Sequence, residues 1–242
     1  MSVPTIPSFV RDDLDRLDVD LSDSTLARLS AFLDLLLEAN RQFNLTSIRD
    51  RDEAWRRHII DSLTLLPFLT PEPADAALID VGSGGGVPGI PLAIARPDWR
   101  VTLLEATGKK ARFLDSCVTQ LRLEGCRVIH DRAEVVAQDP AHRQRYDAAV
   151  CRAIGPMREM LEYVLPLVCV GGRTLALKGP KAEQELKDAH RALELLGAGD
   201  LEVYDAYGKG FDSQSVIVII TKARSTPKQY PRPPGTPRKS PL

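Results

Sequence analysis

The stretch Ala77-Leu-Ile-Asp-Val-Gly-Ser-Gly-Gly-Gly-Val-Pro-Gly-Ile-Pro-Leu-Ala-Ile-Ala95 decides how this 242-residue chain is read. Ala77 to Val81 is a short, branched apolar run, the pattern of a buried parallel strand. Gly82, Gly84, Gly85 and Gly86 follow at once, so the backbone can turn tightly and approach a ligand with no Cβ in the way. Ile90, Leu92, Ala93 and Ile94 then resume at helical spacing. Pro88 and Pro91 fit only the first turn of that helix, where a missing N–H costs little. Strand, glycine loop and helix start make a nucleotide-type binding turn.

Gly84-x-Gly86-x-x-Gly89 matches the dinucleotide fingerprint, but that pattern alone is weak. Asp80 discriminates, a carboxylate just before the glycines. A pyrophosphate placed there meets a like charge, whereas the ammonium of S-adenosylmethionine meets a good partner. The residues favour S-adenosylmethionine over NAD. The plain alternative is a glycine-rich surface turn that caps a helix.

Upstream, Asp20 to Asn44 reads as an amphipathic helix, capped by Ser22 or Ser24, with Leu26, Leu29, Leu33, Leu36 and Leu37 at helical spacing. Asn44-Leu-Thr-Ser-Ile48 breaks the pattern. A second helix is expected from near Asp52 to about Phe68, with Trp55, Ile59, Leu63 and Leu66 on its apolar face. His58, Asp61 and Ser62 share another face, either as a local brace against the core or as part of a site. Pro71-Glu-Pro73 reads as a connector. Residues 1–70 are therefore expected to form a helical cap on a main domain over 71–222.

Downstream, strand and helix patterns alternate, the signature of a parallel sheet. Strands are expected at 101–104, 127–130, 147–151 and 173–178, and helices at 109–123 and 181–196. Segments 201–204 and 215–221 are expected to form a closing antiparallel pair. The count is that of a seven-stranded, Rossmann-like class I methyltransferase sheet, whose ligands sit at the carboxyl ends of the strands. Glu105 lies where a ribose-binding carboxylate falls, and Arg132-Ala-Glu134 where groups beside an adenine fall. Segment 223–242 is a separate tail. With Lys222 it carries Arg224, Lys228, Arg232, Arg238 and Lys239 among six prolines and no acid. It reads as an extended ribbon, suited to phosphate contacts or simply solvated.

A net charge of −1 excludes no class. No leader pattern and no apolar bilayer-spanning run is evident. Cys117, Cys126, Cys151 and Cys169 are scattered, which argues against zinc or a disulfide framework and suits a reducing cytoplasm.

Methyl transfer from a sulfonium needs chiefly alignment of donor and nucleophile. The fourth strand ends in Cys151-Arg-Ala-Ile-Gly-Pro156, without the Asn/Asp-Pro-Pro-aromatic turn used for exocyclic amines. Cys151 lacks the setting of a cytosine-5 nucleophile and reads as core. Lys178 could act as a base or hold a phosphate. A ring nitrogen such as guanine N7 needs no base, which weakly favours it.

These residues resemble the RsmG family, also called GidB, the bacterial 16S rRNA guanine-N7 methyltransferases. The resemblance spans nearly the whole chain. It rests on Asn44-Leu-Thr46, His58-Ile-Ile-Asp-Ser-Leu63, Asp80 to Pro91, Leu104-Glu-Ala-Thr-Gly-Lys-Lys110, Arg132-Ala-Glu134, Cys151-Arg-Ala153, Leu177-Lys-Gly-Pro180 and Tyr230-Pro-Arg-Pro-Pro-Gly-Thr-Pro237. It departs at Glu105, where many relatives carry Asp, and at Ile59-Ile60. It implies methylation of a guanine N7 in the 530-loop region of 16S rRNA, at G527 in E. coli rRNA numbering. It implies donor contacts at Gly82, Val87, Glu105, Ala106, Thr107, Ala133, Glu134 and Arg152. To these the residue reading adds Asp80, Ser83, Gly84 and Gly86. It raises Asn44, His58, Asp61 and Lys178 as RNA-facing residues, with Lys228, Arg232, Arg238 and Lys239 in the tail, and Arg152 and Lys178 as positioning groups. The expected cofactor is S-adenosylmethionine and the expected partner 16S rRNA or the 30S subunit. No metal, no membrane, a monomer and a cytoplasmic location complete the expectation. A small-molecule methyltransferase of the same fold and a non-catalytic rRNA-binding assembly factor are the alternatives.

Overall fold

The computed structural model describes residues 6–69, 73–207 and 214–242; Pro71 and Glu72 of the expected connector lie outside them. Helix α1 (Ser8–Arg16) leads into α2 (Asp23–Phe43), whose Ser22 N-cap accepts the Thr25 N–H. It ends where Asn44 turns left-handed at φ 50°. The expected second helix is interrupted. It runs as α3 (Arg51–Ala54), a π-helical stretch (Trp55–Ile60) and α4 (Asp61–Leu63), then turns into α5 (Leu66–Leu69). Wide π turns loosen the carbonyl ladder and are frequent at functional sites. Here the Arg57 carbonyl accepts from Arg152 and the Arg56 carbonyl from Tyr207.

The sheet follows: β1 (Ala77–Val81), α6 (Gly89–Ala95), β2 (Arg100–Leu104), α7 (Gly108–Gln120), β3 (Cys126–Ile129), α8 (Ala133–Val136), β4 (Tyr146–Arg152) and α9 (Met157–Val164). A 3-10 turn (Leu165–Leu167) opens β5 (Val168–Lys178). Then come α10 (Ala182–Asp188), α11 (His190–Leu196), β6 (Ala198–Asp205), β7 (Val216–Lys222) and α12 (Thr236–Lys239). The expected single helix over 181–196 is two, broken at buried Ala189, whose backbone leaves helical geometry at ψ 3°. Strand order is β3-β2-β1-β4-β5-β7-β6, with only β7 antiparallel to its neighbours. The chain leaves β1 for β2 on one side and returns to β4 on the other. The crevice at the carboxyl end of β1 is therefore the switch point where such sheets bind ligands.

One continuous apolar core joins the cap to the sheet. Leu26, Leu29, Phe32, Leu33, Leu36, Trp55, Ile59 and Leu63 pack with Leu78, Ile90, Leu92 and Leu103. Each such side chain contributes about 1.5–3 kcal/mol by leaving water. A second core covers the other sheet face with Ile79, Val81, Cys151, Met160, Leu161 and Val218. The cap is thus fixed against the sheet: a Cβ at Gly85 would lie 3.0 Å from Leu36 of α2.

Candidate active site

Gly82, Gly84 and Gly86 all take positive φ, at 74°, 55° and 88°. A Cβ at Gly82 would collide with Ile154, whereas at Gly84 the nearest atom is the Gly82 carbonyl at 3.7 Å. The space over Gly84 is open. Glu105, one residue past β2, braces this loop from below: Oε2 accepts Gly84 N–H at 2.9 Å and Oε1 accepts Thr107 N–H at 2.7 Å. An acid bound twice by backbone is rigid, with lone pairs left for hydroxyls. Its own N–H donates to Ile129 at the end of β3, so Glu105 and the start of α8 share one edge.

Asp80 corrects the sequence reading. Expected to meet a ligand ammonium, it is fully buried beneath the loop, with Oδ2 accepting Gly89 N–H at 2.9 Å at the start of α6. Oδ1 has no partner. Burial pushes its carboxyl up to about 7, against the opposing pull of the Gly89 N–H. It acts from under the loop rather than at its face.

Beside this edge lies a cavity of about 490 Å³, lined among others by Thr46, His58, Asp61, Arg152, Lys178 and Glu185. Cap and sheet each supply part of its wall. Arg152, the last residue of β4, donates to Asp61 Oδ2 at 3.0 Å and places Nη2 3.1 Å from His58 Nδ1. Asp61 Oδ1 accepts from the Tyr207 hydroxyl at 3.0 Å. The same His58 Nδ1 lies 3.1 Å from the Arg57 carbonyl, which can only accept, so a donor and an acceptor compete for that nitrogen. Nε2 lies 2.8 Å from Thr46 Oγ1. Burial first, then the Arg152 charge, lower the His58 pKa to about 4, so the ring is neutral. Thr46 Oγ1 also accepts Ile48 N–H at 3.1 Å.

Lys178 ends β5. Its Nζ donates to Gly155 O at 3.0 Å and pairs with Glu185 at 2.6 Å, a held cation rather than a poised base. Cys151 is buried and its thiol is pushed up to about 12, as an inert core residue.

The fold brings His58, Asp61, Arg152 and Lys178 into one cavity. Asn44 lies apart, in a polar groove with Asn40, Arg41, Arg49 and Arg51. Gly82, Ser83, Gly84, Gly86, Val87, Glu105, Ala106, Thr107, Ala133 and Glu134 all follow the carboxyl ends of β1, β2 and β3. The Glu134 carboxylate, however, is buried and held by Arg132 and the Gly235 N–H. The tail corrects the sequence reading most. It is not a free ribbon of uncompensated cations. Lys222 is buried, Arg224 donates to Glu194 O, and Arg232 pairs with Glu162 of α9. Only Lys228, Arg238 and Lys239 of the expected RNA contacts there are exposed. Sequence reasoning passed over Tyr207, Glu162 and Glu185, acids and a phenol whose only signal was position near a strand or helix end.

The fold and its glycine-loop edge define a class I methyltransferase architecture. Two solved structures share it: a TehB-like SAM-dependent methyltransferase from Corynebacterium glutamicum (TM-score 0.53, 19% identity, 77% of this chain and 97% of that one) and a SAM-dependent O-methyltransferase from Thermotoga maritima (0.53, 16%, 79% and 72%). At that identity the likeness is one of fold. The family model described as GidB, rRNA small subunit methyltransferase G, matches residues 25–215. Ribosomal RNA small subunit methyltransferase G of Moorella thermoacetica is 42% identical over 224 residues, 93% of each chain; that of Chloroflexus aggregans is 43% identical over the same length and coverage. The chain belongs to the GidB family.

Proposed function

We propose that this chain transfers the methyl group of S-adenosylmethionine to N7 of a guanine in 16S rRNA, in the 530-loop region at G527 of the E. coli numbering. The observation that carries the reading is the junction of two features. A loop of three left-handed glycines is braced by Glu105, and Gly82 in it packs against Ile154, two residues past Arg152, which lines a cavity with His58 and Asp61 of the cap. The open space over Gly84, with the Asp80 carboxyl beneath the loop and Glu105 beside it, fits a cofactor with a cationic amino-acid end and a ribose. Gly82 to Val87 would hold the amino-acid end, Glu105 the ribose, and Ala106, Thr107, Ala133 and Glu134 the adenine side. When bound, the cofactor supplies an electrophilic methyl on a sulfonium.

The chain's own residues do the positioning. N7 presents a lone pair, so no proton need be removed. The cavity accordingly holds a neutral His58, an ion-paired Arg152 and an ion-paired Lys178 rather than a free base. Arg152 joins the cap to the sheet at the edge where donor and base would meet, and Thr46 lines the same cavity. Lys178, Lys228, Arg238 and Lys239 would face phosphates. Among the described residues no cluster of metal-ligating side chains occurs, and no helix is long and apolar enough to cross a membrane.

The test is transfer of labelled methyl from S-adenosylmethionine to unmodified 30S subunits and to bare 16S rRNA, followed by nucleoside analysis. Label recovered as 7-methylguanosine at one site, and lost with Glu105→Ala, is expected. Donor binding without transfer to either RNA would sink the rRNA assignment in favour of a small-molecule acceptor.

A further inference from the structure

The C-terminal segment is gripped more closely than RNA contact requires. Arg143, in the turn before β4, donates to the carbonyls of Thr226, Pro227 and Tyr230. Gln138 Nε2 donates to Pro231 O at 2.8 Å. Arg232 meets Glu162 in a fork, Nε to Oε1 at 2.8 Å and Nη2 to Oε2 at 2.6 Å, and its backbone N–H adds a third bond at 2.8 Å. Glu162 is fully buried on α9, so without Arg232 its charge would have no water to face. Tyr230 and Pro237 are buried as well.

Three residues beyond Arg232, Gly235 N–H donates to Glu134 Oε1 at 2.8 Å, across 101 residues of sequence. Gly235 stands at φ 83° and nothing lies within 4 Å of the place a Cβ would take. The left-handed turn, not crowding, calls for glycine. Glu134 is the second residue of α8, and its other partner is Arg132, whose side chain is half exposed. Burial alone would raise the Glu134 carboxyl, yet the hydrogen bonds from Arg132 and Gly235 hold it below its ordinary value. The tail therefore supplies the less exposed of the two partners that hold the Glu134 carboxylate, in the first turn of α8 beyond the carboxyl end of β3.

We propose that segment 226–242 positions the adenosine end of the cofactor site, with Gly235 and the Arg232–Glu162 pair holding Glu134 and the first turn of α8. The proposal rests on the cofactor reading given under Proposed function. It assigns the tail to donor binding before any RNA arrives. A charge-assisted hydrogen bond from a backbone N–H is among the stronger single contacts, and a backbone donor fixed by its own turn loses little entropy in making it. Gly235 and Arg232 are positioning residues: they act through Glu134 and α8.

The test is calorimetric titration with S-adenosylhomocysteine in the absence of RNA. A chain ending at Pro234 keeps Arg232 and loses the Gly235 contact. It is expected to bind about tenfold more weakly. Glu162→Gln keeps the side-chain volume and loosens the seat; it is expected to bind about threefold more weakly, and it carries the test if the shortened chain melts early. Arg238→Ala with Lys239→Ala removes exposed charge only and should leave this affinity unchanged. In turnover, the shortened chain should show a raised KM for S-adenosylmethionine with kcat retained when donor and RNA are both saturating, a split that general loosening would not give. Affinity within about twofold of the full chain in both the shortened chain and Glu162→Gln overturns the proposal. Failure of the full chain itself to bind S-adenosylhomocysteine overturns the cofactor reading instead.

Discussion

Arg152 Nη2 lies 3.1 Å from His58 Nδ1, and the Arg57 carbonyl lies 3.1 Å from the same nitrogen. The strand end thus meets the N-terminal helices at one imidazole, whose other nitrogen reaches Thr46 Oγ1 at the cavity wall. Thr46→Val would leave Ile48 N–H without its acceptor and His58 Nε2 without its partner. It is expected to cost about 1 kcal/mol in denaturant unfolding and to lower turnover further, whereas Thr46→Ser should restore both. A Val variant with full turnover would show that the hydroxyl does not touch the reaction.

The His58 ring gives a pH dependence of known sign. Its pKa falls from 6.5 to about 4 on folding, through burial and then the Arg152 charge. Between those values the unfolded chain binds more protons than the folded one, so stability rises with pH there and is lost as pH falls toward 4. The loss is at most about 1.4 kcal/mol per pH unit. His58→Gln cannot titrate and should melt with a flatter profile between pH 6.5 and 4, seen by differential scanning calorimetry. Parallel profiles for the two proteins would place the acid sensitivity elsewhere.

Asp80 has the opposite sign. Its carboxyl is raised from 3.8 to about 7 by burial, so the folded chain binds the extra proton and stability declines as pH rises through that window. Asp80→Asn keeps an acceptor for Gly89 N–H and removes the buried charge. The variant is expected to be at least as stable as the parent at pH 8 in thermal melts. Its affinity for S-adenosylmethionine should fall about tenfold, since the amide removes the negative charge beneath the loop on which the cofactor's cationic end would rest. A variant that melts lower at pH 8 would mean that the ionised carboxylate holds the loop.

The strands, the glycine loop and Glu105 could be read from the chain because each is a local signal: apolar runs of four or five residues, glycines where φ must be positive, an acid at a strand end. Three features could not. The π stretch at Trp55–Ile60 depends on Tyr207 and Arg152, which take its freed carbonyls from far along the chain. The burial of Asp80 depends on α6 folding back so that Gly89 N–H lies over the carboxylate. The seat of the tail depends on Glu162 and Glu134, which lie 70 and 101 residues before their partners. Composition showed six cations without acids in that segment; the acids were supplied by other elements.

The remaining exposed cations of the tail make the last prediction. Lys228, Arg238 and Lys239 have no ion-pair partner among the described residues and stand at the surface, unlike Arg232 and Lys222. Contacts of this kind release counterions from RNA, so the logarithm of affinity falls with the logarithm of salt by about 0.7 per phosphate contact on single strands. Replacing all three with alanine should weaken 16S rRNA binding at low salt and reduce that slope by about 2, with donor affinity intact. Arg232→Ala should do the reverse: it removes the Glu162 pair, so donor binding weakens while the salt slope changes little. Filter binding across a salt series, with donor calorimetry beside it, separates the two. A triple variant that keeps its slope would place the RNA contacts on the Asn44 groove, where Arg41, Arg49 and Arg51 gather.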